Sequence, residues 1–122
     1  MKKALLSITL GLAAATAMAA WPSKTVTLVV PFPPGGSTDM IARIISSQLG
    51  AKIGGTVVVD NKPGATGTIG TAAVARSAPD GHTLLVSSLG PFVIAPHLMK
   101  VQYDALKDLD PITVAVQAPN VL

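Results

Sequence analysis

No cysteine and no glutamate occur in this chain of 122 residues. Without cysteine there is no disulfide framework, no thiol nucleophile and no thiolate metal ligand. Aromatic side chains make up only 3% of the sequence, as Trp21, Phe32, Phe92 and Tyr103, too few for a platform on which bases stack. Charged residues make up 12%, and no stretch concentrates Lys or Arg. That excludes nucleic acid and an anionic membrane surface as expected partners. The acids are Asp39, Asp60, Asp80, Asp104, Asp108 and Asp110, and the two histidines, His82 and His97, stand singly. A lone histidine of this kind reads as a surface or hydrogen-bonded residue. No spacing of His and carboxylate fits zinc. The glycine patterns of dinucleotide and P-loop sites and the G-x-S-x-G nucleophile elbow are missing too. No catalytic residue, metal or cofactor is expected.

The first nineteen residues have a different character. Lys2 and Lys3 precede an apolar run over residues 4–15, too short to span a bilayer. Ala17-Met18-Ala19 then fits the small-x-small pattern of a secretory signal. Residues 1–19 are read as a signal peptide, with an exported mature chain starting at Ala20. No cysteine stands at the cleavage site to take a lipid, and no later run is long enough to insert in a membrane. Losing Lys2 and Lys3 leaves seven basic residues against six acidic ones. The sequence stops at Val121-Leu122, just after Pro119-Asn120, where a new apolar strand begins. Residues 20–122 are therefore expected to be part of a longer protein.

Strands and helices alternate along the mature segment. Residues 25–30, rich in Val and Thr, read as a first strand. A helix follows over 38–49, with Ile41, Ile45 and Leu49 on one face, Met40 and Ile44 beside them, and Gly50 as its stop. Residues 56–59 read as a second strand, whose unbroken apolar character suits burial on both faces. A second helix is expected over 68–76, with Ile69, Ala72 and Ala73 inward. A third strand is expected over 83–88. Short helical pieces follow over 92–99, limited by Pro96, then a helical turn over 104–109 and a fourth strand over 111–117. The alternation predicts an α/β fold with a mostly parallel sheet flanked by helices.

Three loops leave the C-terminal ends of the first three strands, over residues 32–38, 61–68 and 87–91. In open α/β sheets ligands bind at that edge. The loops are rich in Gly, Pro, Ser and Thr, so they offer backbone N–H groups and hydroxyls. The first and most informative runs Val29-Val30-Pro31-Phe32-Pro33-Pro34-Gly35-Gly36-Ser37-Thr38-Asp39. It leads a strand through a tight turn into a helix N-terminus, where N–H groups lack helical partners and the dipole favours an anion. Thr66-Gly67-Thr68 repeats that logic at the second helix. Ordinary capping by Ser37 or Thr38, and a dipole preference for Asp39, explain the same residues without a ligand.

These motifs resemble the periplasmic substrate-binding receptors of tripartite tricarboxylate transporters, the Bug-type receptors. The likeness continues through Val57-Val58-Val59-Asp60-Asn61-Lys62-Pro63-Gly64-Ala65, Gly67-Thr68-Ile69-Gly70, Ala78-Pro79-Asp80-Gly81-His82-Thr83-Leu84-Leu85, Tyr103-Asp104 with Lys107-Asp108-Leu109, and Ala118-Pro119-Asn120-Val121-Leu122. The resemblance implies a type 2 periplasmic-binding-protein (Venus-flytrap) lobe, incomplete here because the second lobe is absent. It implies capture of a small carboxylate, whether organic acid, amino acid or aromatic acid, and its delivery to membrane transporter subunits. By position, Phe32, Pro33, Gly35, Gly36, Ser37 and Thr38 would form one jaw. Ala65, Thr66, Gly67 and Thr68 would form another, and Ser87 and Ser88 the floor. Leu89-Gly90-Pro91 departs from the more polar residues that related sequences often carry there. An exported α/β hydrolase with its catalytic residues elsewhere in the protein, and a receptor that presents its ligand to a signalling partner, remain alternative readings of the sequence.

Overall fold

The computed structural model describes residues 21–117. The expected signal peptide and the Ala118–Leu122 motif lie outside the described residues. Three parallel strands form one sheet in the order β2-β1-β3: β1 is Val26–Val30, β2 is Val57–Asn61 and β3 is Thr83–Leu85. Val26 to Val30 pair with Val57 to Asn61 in register, and Thr27 to Val29 pair with Thr83 to Leu85 on the other side. Helix α1, Ser37–Ile53, connects β1 to β2, and α2, Thr68–Ala75, connects β2 to β3. Right-handed crossovers put the two helices on opposite faces, because the chain moves outward to β2 and then back past β1. The burial of β1 fits that arrangement. Val26, Leu28 and Val30 on one face and Val29 on the other are all at most 2% exposed. The core therefore lies around β1, the strand whose apolar run the sequence marked first.

Several expectations are corrected. The first helix does not stop at Gly50 but runs on to Ile53 and ends at Gly54, whose left-handed backbone (φ 63°) gives the usual glycine stop. β2 is half-exposed rather than covered on both faces, because it is the outer strand of the described sheet. In α1, Ala42 is buried and Ile41, Ile45 and Leu49 are half-buried, whereas Met40 and Ile44 are exposed. In α2, Ile69 and Ala73 are exposed, and Gly70, Thr71, Ala72 and Val74 are buried. The reason is contact distance. A Cβ on residue 70 would lie 2.7 Å from the Lys62 carbonyl and 2.8 Å from Pro31 Cβ. The inward face must therefore begin on the residue with no side chain.

After β3 comes a π-helical turn, Gly90–Ile94, that leads directly into α3, Ala95–Leu98, with Pro96 in its first turn. The helical turn expected near residue 104 is present as a single turn, in which Lys107 and Asp108 both donate backbone bonds to the Asp104 carbonyl. The expected fourth strand is not formed. Residues 111–117 are all exposed and belong to no strand, and Ile112, Val114 and Val116 are 60–77% exposed. Alternating apolar residues make a strand only where another backbone pairs with them.

Candidate functional site

Because all three strands are parallel, their C-terminal ends lie at one sheet edge, and all three loops leave from it. The loops also touch one another. Gly67, the residue before α2, has φ 90°, a left-handed conformation open to glycine. A Cβ there would lie 2.8 Å from Pro91 Cγ and 3.2 Å from Phe32 Cζ. Phe32 comes from the first loop and Pro91 from the third, so Gly67 is the point at which all three meet. The third loop is anchored from below. The buried Tyr103 hydroxyl donates to the Pro91 carbonyl, and burial raises the pKa of its phenol.

The first loop delivers the N-terminus of α1 to this edge. Its N-cap is Gly36 in an extended conformation (φ −78°, ψ 170°), and no side chain caps the helix. Capping by Ser37 or Thr38, the bland account of those residues, is thus not what the structure shows. Ser37 is exposed and Thr38 half-buried. The backbone N–H groups at the start of α1 have no partner within the helix, and they carry the positive end of its dipole. Gly35 is different from its neighbours. Its N–H donates to the Asp39 carboxylate at 2.9 Å and so is not free for a ligand.

The second loop is strained. Ala65 and Thr66 have φ of 45° and 58°, uncommon for residues with a side chain. Each such residue costs on the order of 1–3 kcal/mol and persists where its surroundings demand it, often at a ligand site. Both are exposed. Gly67 and Thr68 are buried, and the Thr68 hydroxyl donates to the Ala65 carbonyl at 2.9 Å. In the third loop Ser87 is half-buried, with its hydroxyl 3.3 Å from the Ser88 carbonyl, and Ser88 is exposed. Phe32 is half-buried, and Pro33 is exposed. The fold therefore brings Phe32, Pro33, Gly35, Gly36, Ser37, Thr38, Ala65, Thr66, Gly67, Thr68, Ser87 and Ser88 to one edge, with the N–H groups of Gly35 and Gly67 and the hydroxyls of Thr68 and Ser87 engaged internally.

Charge at this edge is balanced. Lys62 pairs with Asp60 at 2.9 Å. Asp39, 2% exposed, pairs with Arg43 at 2.9 Å and accepts from Asn61 Nδ2 at 2.9 Å. The Arg43 bond first, then the Gly35 N–H and Asn61, hold the Asp39 carboxyl well below the usual carboxylate range, against the opposing effect of burial. A depressed carboxyl contributes stability that is present above its unfolded pKa and is lost as pH falls through the folded value. An anion at this edge would be met by neutral donors, namely helix N–H groups and hydroxyls. A cavity of about 300 Å³ lies between α2 and residues 99–102, and Ala65 and Thr68 of the second loop help to line it. Another, of about 830 Å³, lies away from the three loops, along β3 and residues 105–112.

Sequence reasoning placed Asn61 in a turn and gave Asp39 only a dipole role. The structure makes Asn61 the last residue of β2 and joins both to Arg43. The i, i+4 spacing of Asp39 and Arg43 was the available signal. The link to Asn61 was not readable, since it depends on the pairing of β1 with β2.

The comparisons with known proteins agree with one another. BugT of Bordetella pertussis is 44% identical over 116 residues, spanning 93% of this chain and 36% of that protein. A structure of MatC from Rhodopseudomonas palustris with bound malate matches at 44% identity and a TM-score of 0.69, over 72% of this chain and 30% of that one. Another R. palustris protein, solved with adipate, matches at 44% identity and a TM-score of 0.56, over 57% of this chain and 23% of that one. The chain spans about a third of the length of the curated relatives it matches. The family described as tripartite tricarboxylate transporter family receptor, TctC, matches residues 41–122, and the chain belongs to that family.

Proposed function

We propose that the complete protein is a non-catalytic, extracytoplasmic receptor that captures a small carboxylate and delivers it to a tripartite tricarboxylate transporter. The observation that carries this reading is the meeting of three neutral, donor-rich loops at Gly67, beside an α1 N-terminus that no side chain caps. A carboxylate suits such a place, because oriented N–H groups and a helix dipole stabilise negative charge. The malate and adipate bound to the R. palustris neighbours are dicarboxylates, the same chemical class. In this reading Gly36, Ser37, Thr38 and Thr66 donate directly, Ser87 and Ser88 line the floor, and Phe32 and Pro33 form an apolar wall. Gly35, Ala65, Gly67 and Thr68 shape the backbone around them. Residues 1–19 direct export to the periplasm and are removed.

The receptor family matched here gives no support to an exported hydrolase. A thermal-shift screen of the complete protein against malate, adipate, other organic acids and amino acids tests the proposal. An acid present at a hundred times its Kd should add about 2.7 kcal/mol of stability. A rise in melting temperature with at least one acid, and none with the matching amide, is the expected result. No shift with any acid would count against the reading.

A further inference from the structure

Loop 1 is tied down at both ends by a single side chain of another strand. Asn61 Nδ2 donates to the Phe32 carbonyl at 3.1 Å, where the loop begins, and to Asp39 Oδ1 at 2.9 Å, just past where it ends. Its Oδ1 accepts from Arg43 Nη2 at 3.3 Å. Asp39 passes the constraint on, because its Oδ2 accepts from both the Gly35 N–H and Arg43 Nε at 2.9 Å. Every hydrogen of the Asn61 amide and both oxygens of the Asp39 carboxylate are thereby engaged. Residues 33–36 between these ties are all exposed and rest on no core packing of their own.

We infer that Asn61, acting through Asp39 and Arg43, is the positioning residue that holds loop 1 with the α1 N–H groups facing the ligand. The assignment rests on the carboxylate reading above. Asn61 ends the outer strand of the described sheet and is itself half-buried, whereas the core lies around β1. Its loss therefore releases the loop without opening the core. The arrangement also explains an acid beneath an anion site. Arg43 and two neutral donors engage the Asp39 carboxylate, and in return it fixes Gly35.

The test is Asn61→Ala in the complete protein, with malate and adipate as probes. Hydrogen exchange is followed by mass spectrometry across residues 32–39, β1 and α2. The variant should lose at least tenfold in affinity for whichever acid the parent binds. Exchange over 32–39 should quicken at least tenfold while β1 and α2 stay as in the parent. Asn61→Asp, which faces Asp39 with a second carboxylate, should be at least as impaired. The exchanged pair Asp39→Asn with Asn61→Asp restores a donor and an acceptor between the two positions and should recover part of the affinity. Unchanged exchange over 32–39, unchanged affinity, or faster exchange throughout the lobe would each overturn the assignment. If the parent binds neither acid, the carboxylate reading is what suffers, and exchange over 32–39 alone decides whether Asn61 holds the loop.

Discussion

Gly36→Val should abolish measurable carboxylate binding by the complete protein while costing it little stability. The substitution places two methyl groups where an anion must approach the first N–H groups of α1. The fold has room for them. Gly36 has φ −78° and ψ 170°, a conformation that valine adopts readily. A Cβ there meets only the Pro33 carbonyl, at 3.7 Å, an ordinary contact. The stability cost is that of a poorer N-cap, about 1 kcal/mol. Binding and folding are thus separable at this residue. Ser37→Ala is the milder companion. The Ser37 hydroxyl does not cap the helix, so removing it should leave the melting temperature unchanged. A lost bond to a charged carboxylate should cost about 1.5–3 kcal/mol, roughly ten- to over a hundredfold in Kd. Asp80→Asn is the binding control. Asp80 lies in the turn before β3, at the opposite end of the sheet, where it pairs with Lys24 at 2.8 Å. Calorimetric titration of the folded variants with the acid found by screening reads all three. Parent-like affinity in both loop variants would place the cradle elsewhere.

Gly70→Ala should destabilise the lobe although it adds only one methyl group. Its Cβ would lie 2.7 Å from the Lys62 carbonyl oxygen, 2.8 Å from Pro31 Cβ and 2.9 Å from Pro31 Cα. Two of these are backbone atoms, which cannot swing aside as a flexible side chain can. Either α2 moves off the sheet or the second loop shifts, and overpacking of this kind costs about 1–3 kcal/mol. Helix propensity works in the other direction, since alanine is favoured over glycine by about 1 kcal/mol inside a helix. A net loss would therefore show that close packing, not propensity, chose this residue. Because α2 begins at the point where the three loops meet, the same variant should also weaken carboxylate binding. Denaturant unfolding and titration, run side by side, check both effects. A variant as stable as the parent would mean that α2 does not press on Pro31 and Lys62 as described.

How much of this was legible in the sequence depends on which interactions are local. The β1 run, the two crossover helices and the three loops follow from composition and periodicity over short windows, and each is present. The strand over 111–117 failed for a non-local reason: alternation of apolar residues does not supply a partner backbone. Of the inward face expected for α2, Ala72 is buried, but Ile69 and Ala73 are exposed. Ile69 is 56% exposed, whereas Gly70 and Thr71 are buried, Gly70 against Lys62 and Pro31. Contact distance between helix and loop decides that, and periodicity alone does not contain it. The strand ends and loop composition marked the edge at which the three loops meet. The link between Asn61 and Asp39, 22 residues apart, exists only once β1 and β2 are paired in register.

The central claim is that the start of α1 holds a ligand carboxylate at the edge where the three loops meet. A crystal structure of the complete protein with its bound acid tests it most directly. The account predicts a carboxylate oxygen within hydrogen-bond distance of backbone N–H groups among Gly36, Ser37 and Thr38, with the 65–68 loop closing on the same ligand. A carboxylate held entirely by other residues, with loop 1 facing solvent, would contradict it.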